Sequence, residues 1–182
     1  MKNNYLIHTL LIYLFLGTII SCEQNYNNKL KKKSHPSHKY DYVDVDVSML
    51  KYYEMNYLPI YSDIYHQDGT RRFKLTTTIS IRNISLSDSA FILSATYHDS
   101  YGTLLHDYVD STIHLSPLES IEFVVEEKEN IGGAGANFII EWGANKYTNQ
   151  ILIQSIMIGT YGQQGISFIS EAVMMDSLTK KN

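Results

Sequence analysis

Cysteine is nearly absent from this sequence, in which Cys22 is the one cysteine among 182 residues. A lone cysteine cannot form an intrachain disulfide, so the folded part must be held together by burial even in an oxidising compartment. An excess of basic charge is lacking too, because 15 lysines and arginines face 19 acidic residues and the formal net charge is −4. A nucleic-acid-binding protein needs a basic face, so this balance argues against nucleic acid as a partner.

Several sequence patterns are also missing. The apolar run over 6–20 is too short to be a comfortable membrane span, and no internal repeat or useful amphipathic helical stretch follows it. There is no Gly-x-Ser-x-Gly elbow, and the only cysteine has another assignment, so no nucleophile is evident. We therefore expect one domain without enzymatic activity, and no motif implies a cofactor.

The N-terminal stretch is the most informative part of the chain. Lys2 precedes the apolar run, which has the length of a signal-peptide core, and Ile19-Ile20-Ser21-Cys22 ends it. This ending resembles the lipobox of bacterial lipoproteins, in which the thiol receives diacylglycerol, the leader is cut before the cysteine and the new amine is acylated. Several acyl chains on one residue give stable anchoring, whereas a single chain binds only marginally. We predict a signal peptide over 1–21 and a lipidated Cys22 whose partner is a membrane; an uncleaved anchor helix or a free thiol is the alternative.

A polar segment separates Cys22 from the remaining sequence. Residues 22–39 have no apolar periodicity and include Lys29, Lys31, Lys32 and Lys33, which predicts a flexible tether. The lysines serve either as a soluble linker or as a contact to anionic headgroups. Glu23 is not the aspartate that marks inner-membrane retention in some bacteria, so the outer membrane of the cell envelope is favoured by analogy.

From residue 40 onward, short apolar-alternating segments are separated by turn residues, which is the pattern of a half-buried antiparallel sheet. Predicted strands cover 41–47, 57–65, 73–83, 91–98, 104–109, 112–115, 121–125, 137–142, 150–158 and 166–169. Strands of this length and spacing predict an all-β fold, an antiparallel immunoglobulin-like β-sandwich over 40–176. We expect a frayed tail over 177–182 and a core position for Trp142 between the sheets.

Several stretches resemble an uncharacterised bacterial family, the domain of unknown function 3124. They are 61–65, 75–83, 123–128, 132–138, 141–142 and 157–168. The sequence departs from the family pattern at Ala134, where a serine is expected, and at Tyr161, where a glutamine is expected. The resemblance covers roughly 57–170 and implies the fold and the anchoring, but no established activity.

Two glycine-rich loops are the best sequence candidates for a recognition surface. The first loop contains Gly132, Gly133, Gly135 and Asn137. The second loop contains Gly162, Gln163, Gln164 and Gly165. A phosphate-binding loop would need a helix after it, and a strand follows instead. Positive-φ turns and close backbone packing explain the glycines without a ligand. If the two loops meet at one end of the sandwich, their amides form a surface for an envelope protein or a glycan.

Histidines at predicted strand ends give a second hypothesis. If 91–99 and 104–109 pair as a hairpin, His98 and His106 could lie near each other, and with His66 and a carboxylate they could bind zinc. No close His-x-His spacing supports this site, and solvated residues at strand ends are the alternative. The sequence therefore favours a non-enzymatic, lipid-anchored binding module of unknown function. A metal-binding protein or metal-dependent hydrolase is the second reading.

Overall fold

The computed structural model describes residues 40–129, 131–146 and 149–179. The predicted signal peptide, the lipidated Cys22 and the tether over 22–39 lie outside the described residues. Within them, no helix is long and apolar enough to cross a membrane.

Nearly all regular structure in the described residues is β-strand. The strands are β1 (Asp41–Tyr42), β2 (Tyr52–Pro59), β3 (Asp63–His66), β4 (Asp68–Lys74), β5 (Thr76–Asn83), β6 (Ala90–His98), β7 (Leu104–Asp107), β8 (Ile113–Leu115), β9 (Ser120–Val125), β10 (Asn137–Ala144), β11 (Ile151–Tyr161), β12 (Gln164–Glu171) and β13 (Val173–Thr179). Two single turns of 3-10 helix cover Val47–Met49 and Glu127–Glu129.

The strands form two main antiparallel sheets. The large sheet has the order β1-β8-β6-β10-β2-β13, with β7 pairing on β6, and the small sheet has the order β12-β11-β5-β9. A separate hairpin joins β3 to β4. The predicted antiparallel β-sandwich is confirmed.

The core lies between the inner faces of the two sheets. Ile79 and Ile81 of β5 are fully buried, as are Phe138 and Ile140 of β10. Successive strand residues point to opposite faces, so an alternating apolar sequence delivers one complete face to the core. Each such side chain contributes roughly 1.5–3 kcal/mol when it is fully buried. Burial therefore supplies the stability that a chain with one cysteine cannot gain from a disulfide.

The predicted strand over 41–47 is wrong beyond its first two residues. Only Asp41–Tyr42 pairs, on β8, and Val47–Met49 turns into a 3-10 helix. The Asp46 side chain accepts a hydrogen bond from the Ser48 backbone N–H at 2.8 Å. Such local side-chain bonds offer the backbone an alternative to a sheet ladder, which explains why alternation alone misled.

The predicted frayed tail over 177–182 is wrong for the residues described there. β13 continues to Thr179 and pairs with β2 along its whole length, with a bulge between Met174 and Asp176. Without β13, the outer edge of β2 would leave a row of backbone groups unpaired. The C-terminal segment is therefore an edge strand of the large sheet.

Ala172 is the point at which the chain changes sheets. It links β12 of the small sheet to β13 of the large sheet, and its N–H donates to the Ile153 carbonyl at 3.0 Å. The crossing lies along one side of the sandwich. A cleft opens between the two sheets on that side.

Candidate ligand-binding cleft

A cleft of about 400 Å³ lies between the two sheets. The large sheet contributes residues of β2, β10 and β13, and the small sheet contributes residues of β11 and β12. The side chains that matter for its chemistry are Tyr52, Glu54, Asn56, Trp142, Gln150 and Glu171. Small-molecule pockets have volumes of ~300–1,000 Å³, so the cleft is large enough for a small ligand.

The inner face of β2 changes from apolar to polar along the strand. Leu58 is fully buried in the core, while Asn56 and Glu54 follow it at the alternate positions of the same face. In the register of β10 on β2, Trp142 lies opposite Glu54. The strand that fills the core at one end therefore carries an amide and a carboxylate into the cleft at the other.

Two buried N–H donors of the cleft have no hydrogen-bond partner in the described part of the chain. Trp142 is 2% exposed and Asn56 is 5% exposed. Neither Trp142 Nε1 nor Asn56 Nδ2 has a hydrogen-bond partner among the described residues. Leaving a buried donor unpaired costs about 1–3 kcal/mol, so such a group needs an explanation. Two of them in one cleft are the strongest indication of a binding site in this structure.

Tyr52 and Glu54 form a polar pair beside these donors. The Tyr52 hydroxyl donates to Glu54 Oε2, and the Tyr52 ring packs against the Trp142 ring with centroids 5.1 Å apart. Burial, and then the hydrogen bond and charge of Glu54, raise the pKa of the Tyr52 hydroxyl above its ordinary value. Tyr52 therefore keeps its proton at neutral pH and acts as a donor rather than as a base.

The opposite wall adds a second acid. Glu171 accepts a hydrogen bond from Gln154 Nε2 at 2.9 Å. Beside it, Asn149 donates to the Ser89 carbonyl at 3.0 Å, which fixes the backbone where the chain enters β11. Among the described lining residues there are two carboxylates and no lysine or arginine. The cleft therefore has two carboxylates at its walls, Glu54 half-buried and Glu171 exposed, and two buried N–H donors at its floor.

The first predicted recognition loop is held by hydrogen bonds within the protein. Ser62 donates to the Gly133 carbonyl through its N–H and its hydroxyl. Ser100 donates to the Gly132 carbonyl, and its hydroxyl accepts from the Gly135 N–H at 2.9 Å. Gly133 has φ +80°, which glycine adopts without strain. These glycines therefore pack closely against two serines, and one of the amides is already used.

The second predicted loop is shorter than expected. Strands β11 and β12 extend to Tyr161 and from Gln164, so only Gly162 and Gln163 form the turn. Gly162 has φ +61° at the first turn position, where a type II′ hairpin requires glycine. Gln163, Gln164 and Gly165 are exposed there, and Tyr161 packs against His66 and Phe73. Among the described residues, no hydrogen bond joins this hairpin to the 132–135 loop.

The histidines do not converge. His106 pairs with Tyr97 across β6 and β7, whereas His98 is the next residue along β6 and faces the other side of the sheet. His98 neighbours Asn137 in the register, and His66 lies in the β3–β4 hairpin. Within the part of the chain that the structure describes, no group of three or more metal-ligating side chains could hold a metal ion. The predicted hairpin is present, but His106 lies opposite Tyr97 rather than opposite His98, so the two histidine side chains are on different faces of the sheet.

Sequence reasoning missed most of the cleft. Trp142 was predicted as a core residue, and it is buried, but its role as a lining residue was not foreseen. Glu54 and Asn56 belong to β2, whose first half was not predicted as a strand. The alternation of Tyr52, Glu54, Asn56 and Leu58 was the available signal, because it places polar side chains on the same face as a core leucine.

Comparisons with known proteins identify a family for this chain. A family model described as "Protein of unknown function (DUF3124)" matches residues 53–175, a range that includes Glu54, Asn56, Trp142 and Glu171. A solved structure described as "Crystal Structure of Thermotoga maritima 1070" is similar with 13% sequence identity and a TM-score of 0.34, covering 66% of this chain and 92% of that chain. No curated protein matches the sequence.

Proposed function

The chain belongs to the family described as Protein of unknown function (DUF3124), and we propose that it is a lipid-anchored cell-envelope protein that binds a small polar ligand without transforming it. Its binding site is the cleft between the sheets. Anchoring rests on Cys22, and binding rests on the side chains contributed by β2, β10 and β12.

The observation that carries the binding proposal is the pair of buried donors, Asn56 Nδ2 and Trp142 Nε1. Polar groups inside proteins are ordinarily paired, and a native fold retains an unpaired one at a cost. A ligand that accepts hydrogen bonds from both nitrogens recovers that cost when it binds. The free-energy cost of burying the two unpaired donors, which lowers the stability of the ligand-free protein, is then recovered as part of the binding free energy.

The chemistry of the lining groups supports binding without reaction. Tyr52 stays protonated and is already bonded to Glu54, and Glu171 accepts from Gln154. These groups can hold and orient a ligand. The described lining residues include no serine, cysteine or histidine to act as a nucleophile or base, and we assign Glu54 and Glu171 to ligand recognition.

The binding proposal is tested with the purified full chain and a small-molecule extract of the cells that produce it. Wild type should be stabilised thermally by the extract and should carry a bound small molecule in native mass spectrometry. Asn56→Leu should lose both effects. Asn137→Leu is the matched control, since it makes the same change on β10 outside the cleft.

Equal stabilisation of wild type and Asn56→Leu would place the ligand elsewhere. Loss of binding in Asn137→Leu alone would restore the glycine-loop surface as the recognition site. No stabilisation of any variant would remove the binding proposal.

The anchoring proposal is tested by Cys22→Ser. Because the acyl chains are attached to this residue, the variant should lose palmitate labelling and should no longer sediment with membranes. Ser21→Ala is the control, as it keeps a small residue before the cysteine and should label normally. A Cys22→Ser product that still incorporates palmitate would show that the lipid is attached elsewhere or that the signal is not a lipobox.

A further inference from the structure

Resting on the proposed function, we infer that the ligand of the cleft is an uncharged sugar unit. The chemistry of the buried floor, the charge of the walls and the Tyr52 ring each restrict the ligand class, and a neutral sugar satisfies all three restrictions.

The buried floor requires acceptor atoms. Trp142 Nε1 is a donor only, and the Asn56 amide nitrogen is likewise a donor. An ammonium or guanidinium group has donors and no acceptor, so it would leave both nitrogens unpaired. The part of the ligand that reaches the floor therefore carries hydroxyl, ether or carbonyl oxygens.

The walls disfavour an anion. Carboxylate and phosphate oxygens would satisfy the two donors, but they would share the cleft with the carboxylates of Glu54 and Glu171. Like charges repel one another, and this repulsion is strongest at Glu54, which is half-buried, whereas Glu171 is exposed and water screens its charge. The oxygens that meet the floor therefore belong to an uncharged group.

The same carboxylates favour a ligand with donors of its own. Ionised Glu54 and Glu171 can only accept hydrogen bonds, and hydrogen bonds to charged acceptors are the stronger class. A hydroxyl group both donates and accepts, so a polyhydroxylated ring can accept from Asn56 and Trp142 while it donates to the acids. Neutral sugars have this combination on one small framework.

The Tyr52 ring supplies the apolar contact, because Trp142 behind it is 2% exposed and offers almost no surface to a ligand. The Tyr52 and Trp142 rings lie 5.1 Å apart at an angle of 54°, and Trp142 remains in place because β2 and β6 flank its strand. A sugar ring presents C–H groups as well as hydroxyls, so it can pack on an aromatic surface and hydrogen-bond around its edge. The volume of about 400 Å³ accommodates one or two sugar rings.

The test titrates the full chain, purified in an amine-oxide detergent, because maltoside and glucoside detergents would themselves present sugars. The probes are glucose and N-acetylglucosamine, with glucosamine as the cationic analogue and glucuronate as the anionic one, in mildly acidic buffer that keeps glucosamine protonated. Trp142 is the only tryptophan in the sequence, so fluorescence excited selectively at tryptophan reports on the cleft. Isothermal titration gives the affinities independently.

We expect a saturable fluorescence change with at least one neutral sugar, and affinities at least about tenfold weaker for the charged analogues. Asn56→Leu should weaken the neutral sugar by at least about tenfold, and Asn137→Leu should leave it unchanged. Glu54→Gln removes a negative charge that repels glucuronate, so the ratio of the affinity for the neutral sugar to the affinity for glucuronate should fall. A merely structural role of Glu54 would not change this ratio. This second variant keeps the test decisive if Asn56→Leu fails to fold.

Tightest binding by glucosamine would make the cleft a cation site and overturn the inference. Tightest binding by glucuronate would overturn the argument from wall charge. If none of the sugars binds while the cell extract still stabilises wild type but not Asn56→Leu, the inference falls and the proposed function remains.

Discussion

Asn56 and Trp142 occupy inner-face positions that strands of a sandwich ordinarily give to apolar side chains. Their neighbours on the same face, Leu58 and Ile140, are fully buried and apolar. Along the inner face of β2, Leu58 lies in the core, and Asn56, two residues away, lines the cleft. At the scale of single residues, the candidate site is therefore a local exception to the rule that builds the fold.

The stability of the ligand-free protein tests this exception. Asn56→Leu replaces an unpaired buried amide with an apolar group of similar volume, so we expect the free energy of unfolding to rise by about 1 kcal/mol. Urea denaturation should show a higher midpoint with an unchanged slope. A loss of stability would mean that the amide is satisfied in the native state, and that it does not await a ligand.

Two tyrosines predict how stability depends on alkaline pH. Burial, followed by the charge of Glu129, raises the pKa of Tyr108 to about 12. Burial and the hydrogen bond to Glu141 raise the pKa of Tyr53 to about 12. In the unfolded chain both pKa values are about 10, so the native state binds more protons between these values. Their contribution to stability is complete below pH 10 and is lost as the pH rises through about 12.

Urea midpoints measured across this range should therefore fall above pH 10, while tyrosinate absorbance of the native protein should show late-ionising groups, with Tyr53 and Tyr108 among them. Tyr108→Phe removes one of these groups and should make the decline shallower. A decline as steep as in wild type would show that Tyr108 does not contribute to it.

At the scale of the elements, close packing between the β3–β4 hairpin and β11 depends on one glycine. A Cβ atom on Gly159 would lie 2.7 Å from the Lys74 carbonyl oxygen and 2.8 Å from Leu75 Cδ2. A backbone carbonyl cannot move aside as a flexible side chain can, so the strand itself would have to shift. β11 can approach Lys74 and Leu75 this closely only because position 159 lacks a side chain.

Gly159→Ala should therefore destabilise the domain by about 2–4 kcal/mol, as judged by thermal or urea unfolding. Gly69→Ala is the matched control in the same hairpin, since a Cβ there meets nothing within 4 Å. The control should change stability by less than about 1 kcal/mol. Equal effects of the two substitutions would contradict the packing described here.

At the scale of the whole molecule, alternation in the sequence was sufficient to predict the sandwich. The 73–83 segment is predicted as a strand because its apolar residues repeat every second position, and the end of β4 and all of β5 occupy it, with a break at Leu75. The predicted 91–98 strand corresponds to β6. Alternation failed at Asp46, where a side chain bonds to its own backbone, and after Ala172, where the chain leaves one sheet to complete the other. Both outcomes depend on local or tertiary hydrogen bonds that periodicity does not register.

The cleft could not be predicted in the same way, because its residues meet only after both sheets have formed. Glu54 and Glu171 are separated by most of the domain in sequence, and they face one cavity because β2 and β12 flank the crossing at Ala172. A sequence pattern identifies inward positions on a single strand. It does not show where the two sheets separate, so it cannot tell which inward-facing residues line a cleft and which fill the core.

The central claim, that the cleft holds a ligand on its two buried donors, is tested most directly by the Trp142 indole proton. With one tryptophan in the chain, a nitrogen–proton correlation spectrum contains a single indole resonance, which reports on the hydrogen bond at Nε1. Addition of N-acetylglucosamine, and then of the cell extract, should move this resonance downfield in a saturable manner in wild type and in Asn137→Leu, but not in Asn56→Leu. An indole resonance that stays in place while ligand signals report binding elsewhere, or while nothing binds, would contradict the account.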